Sequence, residues 1–396
     1  QVIKLHLPSG TEFDISIPRR DRKIGPLHTD YVIQPDPTMT TAEACLRRDY
    51  TINSAMYDPL EDTLIDYHGA VRDIQLRLLR PTSYLFKDDA LRIFRGMQFA
   101  GRFGLKFVSS YRSVTQAMKL EYSYLKRERI WEEWLKWADL SKYPSHGIEF
   151  LLDTDWLSFY PELYNMIGCR QDPHHHPEGD AFVHNMMAVD ETVRIFRENN
   201  IEPGSEARII TRLSVLLHDI GKPHTTIVDT GKIKSPGHDQ VGALMVPEFM
   251  EKIGRVNPDQ KSNDKLVDSV QTLVANHMRH IGLKSFTKRL VRRLAYDVGN
   301  LQHLAYVVEA DNSARRPLGG GLPPQMKSIM EIAKELSLET AKPKPILKGD
   351  ALIELGMKQG KDIGVVIAKS FQAQLDGEFE DVDGAVKWAK AHIGVE

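Results

Sequence analysis

The hydrophobic period of this chain changes once, near residue 40, and that change limits the folds open to it. Before it, apolar residues alternate: Ile3, Leu5 and Leu7, then Phe13, Ile15 and Ile17, on either side of Pro8-Ser9-Gly10. Period 2 marks strands, and Ser-Gly between two such runs marks a β-hairpin. The charged segment Arg19-Arg20-Asp21-Arg22-Lys23 and a loop rich in Pro, Thr and Asp lead to Thr41. From there the signal is helical. Thr41 followed by Glu43 predicts an N-cap with an acidic first turn. Leu91, Phe94, Met97 and Phe99 predict an amphipathic helix over 88–103 with arginines on its other face. The expected fold is therefore mainly α, with a short β-containing start.

Residues 104–170 read as shorter helices in which Trp131, Trp134, Trp137 and Trp156 pack a core. The run Gln171-Asp-Pro-His-His-His-Pro177 predicts a domain entry, its three histidines in a solvated loop. Residues 180–315 read as a helical domain dense in His and Asp. Gly319-Gly320-Gly321 among prolines marks a linker, and 325–396 reads as a helical tail. The expected divisions are 1–65, 66–170, 171–316 and 317–396.

With 396 residues, 27% charged and 41% hydrophobic, the chain is of globular composition. A net charge of −2 gives no global basic field, so a nucleic acid must be held by a local patch. Two cysteines, Cys45 and Cys169, exclude a disulfide framework and favour a reducing, cytoplasmic setting. No apolar run reaches the roughly 18–20 residues that span a bilayer, and no signal-peptide core is present, so no membrane partner is expected.

Two segments carry chemistry near the start. One is Arg47-Arg48-Asp49-Tyr50-Thr51-Ile52-Asn53; the other is Asp88-Asp89-Ala90-Leu91-Arg92-Ile93-Phe94-Arg95. Asp89, Arg92 and Arg95 fall at i, i+3 and i+6, along one face of the expected helix. A solvated intrahelical salt bridge is one reading. The other is base selection: a carboxylate accepts from an exocyclic amine while a guanidinium donates to the adjacent ring nitrogen, a pattern offered by cytosine and adenine only. Further arginines would then hold a triphosphate.

The runs LRRDYTINSAMYDPLEDTLIDYHGAVRDIQLRLLR and FKDDALRIFRGMQFAGRFG resemble the bacterial CCA-adding tRNA nucleotidyltransferase and poly(A) polymerase family. FDISIPRRDRKIG takes the place of its strand and basic loop, LKRERIWEEW of its neck, and GDALIELGMKQGKDIG of its tail. The resemblance implies an N-terminal α/β remnant of a polymerase-β-like nucleotidyltransferase head, then a helical neck and body, a helical HD domain and a helical tail. It implies that Arg48, Asp49 and Asn53 bind the nucleotide sugar and phosphates. Asp89 and Arg92 become the amino-acid template pair, and Arg95 a triphosphate contact. Asp88 stands where the family has Glu, and Gln98 where it has another arginine.

The same resemblance implies a Gly-rich segment and an Asp-x-Asp pair holding two Mg²⁺ ions for nucleotidyl transfer. Asp153-Thr154-Asp155 and Asp381-Val382-Asp383 have the spacing but no Gly-rich loop before them, and read as surface acids. Asp14 is at most an accessory carboxylate. No catalytic residue for nucleotidyl transfer is identified, and the catalytic segment is expected to be missing from this chain.

FVHNMMAVD, LLHDIGKPH and VVEADNSARR match the HD-domain signature, with His184, His218, Asp219 and Asp311 as metal ligands. His238 and His277 sit where two-metal HD proteins place further histidines. Imidazole with carboxylate suits a divalent transition metal, Ni, Mn, Co, Fe or Zn, and hydrolysis of phosphate esters. Lys222 is a candidate phosphate contact. The resemblance further implies phosphatase and 2′,3′-cyclic phosphodiesterase activity.

Arg102, Lys106, Arg112, Lys119, Lys126, Arg127 and Arg129 make a cationic neck that, by resemblance, grips the acceptor stem of tRNA. The expected partners are tRNA, CTP and ATP. Four functions stay open at this point: CCA addition, poly(A) synthesis, a stand-alone HD phosphohydrolase, and an RNA-binding scaffold with both sites inactive.

Overall fold

A computed structural model describes residues 2–25, 31–255, 264–283 and 285–393. The side chains of 21–23, part of the expected basic loop, lie outside the described set. The chain divides into two compact units. The first holds 1–165, 202–205 and 247–260; the second holds 166–201, 206–246 and 261–396.

In the first unit the expected hairpin forms from strands Val2–His6 and Glu12–Ser16, with Ile3 opposite Ile15 and Leu5 opposite Phe13. Gly10 closes the turn at φ 82°, donating its N–H to the Leu7 carbonyl. One difference follows at once. Residues 19–35 form a second antiparallel pair, Arg19–Lys23 with Tyr31–Pro35. A charged strand beside a short Tyr-Val-Ile run lacks a clean alternation, so period alone did not reveal it. A further correction moves a cap by one residue. Thr40 rather than Thr41 caps helix Thr41–Leu46, its hydroxyl accepting from the Glu43 N–H while Glu43 accepts from the Thr40 N–H.

Helix Leu91–Phe103 is the centre of this unit. Leu91, Ile93, Phe94, Met97 and Ala100 are buried against helices Arg127–Leu140 and Pro144–Asp153. Gly96 makes the approach possible: a Cβ there would lie 2.1 Å from the Tyr50 hydroxyl and 2.4 Å from the Phe150 ring. Trp134, Trp137 and Trp156 are fully buried, as core packing requires. Each indole N–H has a partner, at Tyr160 Oη (3.3 Å), Pro144 O (2.9 Å) and Thr115 O (2.8 Å).

In the second unit, helices Ala181–Glu198, Glu206–Leu217 and Leu301–Ala314 pack on one another, and Lys265–Asn276 packs on Glu206–Leu217. Short strands Ile227–Asp229 and Lys232–Lys234 pair as a hairpin. The tail closes its own small core of Leu347, Leu352, Phe379, Ala385 and Ala389 between helices Gly349–Glu354, Lys361–Asp376 and Val382–His392. The protein is mainly helical, with small two-stranded sheets near its start.

Candidate metal centre and nucleotide cluster

Five segments of the second unit bring imidazoles and carboxylates to one point. His184 lies in the first turn of helix Ala181–Glu198, and His218-Asp219 follows helix Glu206–Leu217. His238 opens helix His238–Lys252, His277 ends helix Lys265–Asn276, and Asp311 lies on helix Leu301–Ala314. Gly221 lets the His218-Asp219 turn meet the start of the His238 helix, since a Cβ there would lie 2.1 Å from the His238 carbonyl oxygen.

Each ring is committed through Nδ1. His218 donates to Val215 O (2.7 Å), His238 to Ser235 O (2.8 Å), His277 to Val274 O (2.7 Å), and His184 to Glu178 Oε1 (2.6 Å). Every partner is an acceptor only, which assigns the proton to Nδ1 and leaves Nε2 as a lone pair in the neutral ring. Those lone pairs face oxygen or another lone pair. His184 Nε2 is 3.1 Å from Asp311 Oδ1 and 3.7 Å from Asp219 Oδ2. His218 Nε2 is 3.2 Å from Asp219 Oδ2. His238 Nε2 is 3.2 Å from Asp219 Oδ1 and 3.2 Å from His277 Nε2.

Acceptors facing acceptors in a buried site need a proton or a cation between them. His184, His218, Asp219 and His277 are all at most 1% exposed, so bulk solvent screens these groups little. The two oxygens of Asp219 divide the donors: Oδ2 faces His184 and His218, and Oδ1 faces His238 and His277. Nitrogen and carboxylate donors of this kind fit a first-row divalent ion, with room for two positions sharing Asp219.

The three central groups are driven in different directions by their neighbours. Burial alone would push His184 down, but Asp311 and Glu178 hold it up to about 9. Burial opposes ionisation of Asp219, yet His218 and Lys222 keep its carboxyl well below the usual range. Burial, with His218 and His238 beside it, pushes His277 down to about 3. A cavity of about 370 Å³ opens beside Asp219 and Asp311, walled by Lys222, His176, Asn312 and Arg315. The Lys222 ammonium is 2.5 Å from Asp219 Oδ2 and donates to Gln171 Oε1 at 2.6 Å.

In the first unit the structure brings the two motifs together around Asp49. This residue is buried, and its Oδ1 accepts from the Tyr50 N–H (2.9 Å) and Asn53 Nδ2 (2.6 Å) while Oδ2 pairs with Arg95 Nε at 2.5 Å. Arg92 donates to the carbonyls of Leu85 (2.8 Å) and Arg47 (2.9 Å). Arg48 is exposed. Asp89 corrects an expectation: it precedes the helix, which starts at Leu91, so it does not share a helix face with Arg92 and Arg95. Its Oδ1 instead accepts from the Leu91 N–H at 3.0 Å, and its Oδ2 lies 3.4 Å from Arg129. Asp89 is extended and lies one residue before the N-cap, Ala90. Beneath the turn, buried Asp73 receives both Arg80 nitrogens, at 2.9 and 3.0 Å, and the Thr51 hydroxyl.

Residues 8–80 match the Poly A polymerase head domain family, and residues 175–316 match the HD domain family. The multifunctional CCA protein of Acidovorax sp. (strain JS42) is 30% identical over 278 residues, covering 64% of this chain and 60% of its own length. That of Stenotrophomonas maltophilia (strain K279a) is 33% identical over 224 residues, covering 55% and 52%. The chain is thus similar to CCA-adding enzymes and poly(A) polymerases over its head and HD segments. The crystal structure of the Bacillus stearothermophilus CCA-adding enzyme in complex with CTP shares the fold of this chain, with a TM-score of 0.58 at 15% identity over 99% of this chain and 81% of that one. The chain spans about 60% of the length of the first of these relatives.

Neither Asp-x-Asp pair of this chain is arranged as a metal clamp. Asp155 pairs with Lys119 at 2.8 Å, and Asp381 caps helix Val382–His392 by accepting from the Gly384 N–H. Asp14 sits opposite Lys4 in the exposed hairpin. Three of the neck cations are likewise engaged: Lys119 by Asp155, Arg127 by Glu251 (2.5 Å), and Arg129 by Asp89. Arg102, Lys106, Arg112 and Lys126 are exposed.

Sequence reasoning placed all three histidines of 174–176 in a solvated loop. His174 and His175 are exposed, but His176 turns inward, its Nδ1 2.9 Å from Glu178 and its ring 4.9 Å from that of His184. Glu178, Gln171, Asn312 and Arg315 were also missed. The only signal for Glu178 was its place six residues before His184 in a Pro-bounded entry segment.

Proposed function

We propose that this chain acts at the 3′ end of tRNA, and that its HD site is a metal-dependent phosphohydrolase for phosphate esters of RNA ends or nucleotides. The observation that carries the hydrolytic reading is the convergence of four imidazole Nε2 atoms on Asp219 beside an open cavity. The tRNA reading is supported by relatives named multifunctional CCA proteins and by the fold shared with CCA-adding enzymes solved with CTP and with tRNA.

A divalent transition metal, Ni, Mn, Co, Fe or Zn, held by His184, His218, Asp219 and Asp311, with His238 and His277 at a second position, supplies Lewis acidity toward a phosphoryl oxygen and toward water. The protein groups do the rest. Carbonyls at Val215, Ser235 and Val274 fix three ring orientations before any ligand arrives. Lys222, at the cavity wall, neutralises phosphate charge. Burial of the donor set on one side of the cavity limits water to the open side.

For nucleotidyl transfer, the exposed guanidinium of Arg48 is the group best placed to meet CTP or ATP phosphates. Arg95, Asn53 and Asp49 form the rigid turn behind it. Among the described residues, neither Asp-x-Asp pair is arranged to hold two Mg²⁺ ions. A cytoplasmic setting accords with two free thiols, and no helix among the described residues is long and apolar enough to cross a membrane.

The test uses the metal-loaded chain with an RNA carrying a 2′,3′-cyclic or 3′-terminal phosphate. Release of phosphate, or opening of the cyclic ester, that disappears in His218→Ala and Asp219→Ala supports the reading. Turnover unchanged in both variants overturns it. Incubating tRNA that lacks its CCA end with CTP, ATP and Mg²⁺ separates the polymerising alternatives: arrest after C, C and A, continued addition of A as in poly(A) synthesis, or no extension by this chain.

A further inference from the structure

Glu178 belongs to no expected ligand set, yet its side chain is only 1% exposed. Its Oε1 lies 2.6 Å from His184 Nδ1 and 2.9 Å from His176 Nδ1. An ionised carboxylate only accepts, so both rings must present N–H to the same oxygen. For His184 this fixes the tautomer: the proton stays on Nδ1, and the Nε2 lone pair is turned toward Asp311 and Asp219. The other three inward histidines obtain the same orientation from main-chain carbonyls, which are neutral. His184 alone obtains it from a full negative charge.

Charge balance points the same way independently. Glu178, Asp219 and Asp311 enclose the centre with three carboxylates, and Lys222 is the one cationic side chain within ion-pair reach of them that is not a histidine, among the described residues. Buried negative charge on that scale is costly unless a cation is present. A carboxylate one ring behind the donors raises the basicity of Nε2 and strengthens its bond to a metal.

We propose that Glu178 is a positioning residue of the metal centre, locking His184 with Nε2 inward and raising its affinity for a divalent cation. His176 is a secondary tie on the same oxygen, holding the entry segment beside the cavity. This inference rests on the HD site binding metal.

The experiment titrates Co²⁺ and Zn²⁺ into the full chain against a chromophoric chelator and records the visible spectrum of the Co²⁺ form. Glu178→Ala is expected to weaken binding about 10–100-fold, the usual effect of removing such an outer carboxylate, and to change the Co²⁺ spectrum. Glu178→Gln keeps shape and one acceptor, and is expected to recover part of the affinity. His176→Ala is expected to change it by less than about threefold, well short of that range. The melting temperature in chelator reports any purely structural role separately. Wild-type affinity and spectrum in both Glu178 variants overturn the assignment. A wild-type chain that takes up neither ion overturns the metal reading itself, and this inference with it.

Discussion

Arg95 Nε lies 2.5 Å from Asp49 Oδ2, and through this pair two motifs 46 residues apart become one site. The carboxylate is 6% exposed and the arginine side chain 36%. Removing one partner of a buried pair strands the other. Asp49→Ala is expected to destabilise the first unit by about 2–4 kcal/mol, below the fully buried case because Arg95 is partly solvated. Arg95→Lys should show part of the same loss, since the ammonium cannot reproduce the directed Nε contact. Denaturant unfolding followed by tryptophan fluorescence checks this, and a loss under about 0.5 kcal/mol contradicts it.

Gly96 faces Tyr50, whose hydroxyl donates to the Arg92 carbonyl at 2.9 Å. A methyl group at 96 must displace that ring or Phe150. Gly96→Ala is expected to cost about 1–3 kcal/mol by overpacking, against the usual gain of Ala over Gly within a helix. A rise in melting temperature would show that the interface yields more easily than its distances imply.

Asp89 offers a way to separate stability from recognition. Its contact with Arg129 is 3.4 Å and partly exposed, so Asp89→Ala should cost less than about 1 kcal/mol. If the carboxylate reads the exocyclic amine of cytosine, the same variant loses preference for CTP over UTP in equilibrium binding. Preference retained at the wild-type ratio removes Asp89 from base selection.

Metal should stabilise the second unit by mass action. At 100 times Kd the expected gain is about 2.7 kcal/mol, absent in His218→Ala. In chelator, pH acts with a defined sign. His184 is held up to about 9 by Asp311 and Glu178 against the effect of burial, and its ordinary value is about 6.5. Its contribution is therefore complete below pH 6.5 and lost as pH rises through about 9. Thermal melts of the metal-free chain between pH 6.5 and 9.5 should show that decline, and His184→Gln should flatten it.

The candidate donors of the second unit were legible as a cluster because their chemistry is rare. His and Asp at spaced positions in helical sequence, with His218 and Asp219 adjacent, point to little else. Glu178 and His176 were not legible, because a Pro-bounded entry segment has no periodicity from which to infer an inward turn. In the first unit Arg95 and Asp49 were both singled out as nucleotide contacts, but nothing in sequence spacing signals that they bind each other. Asp89 was misplaced for a local reason: it lies two positions before the first helical residue, Leu91, a boundary that periodicity does not resolve.

The sequence by itself determined the mainly helical class and the opening hairpin, and it singled out the six side chains that the fold brings together around Asp219. Those properties reside in residue type and local period, which no distant contact changes. Tertiary structure alone decided where each lone pair points. The inward Nε2 of His218, His238 and His277 depends on carbonyls three residues earlier, held by a helix end or the turn before a helix, and that of His184 on Glu178. Ring orientation is set by the partner of the other nitrogen, and that partner exists only once the chain is folded.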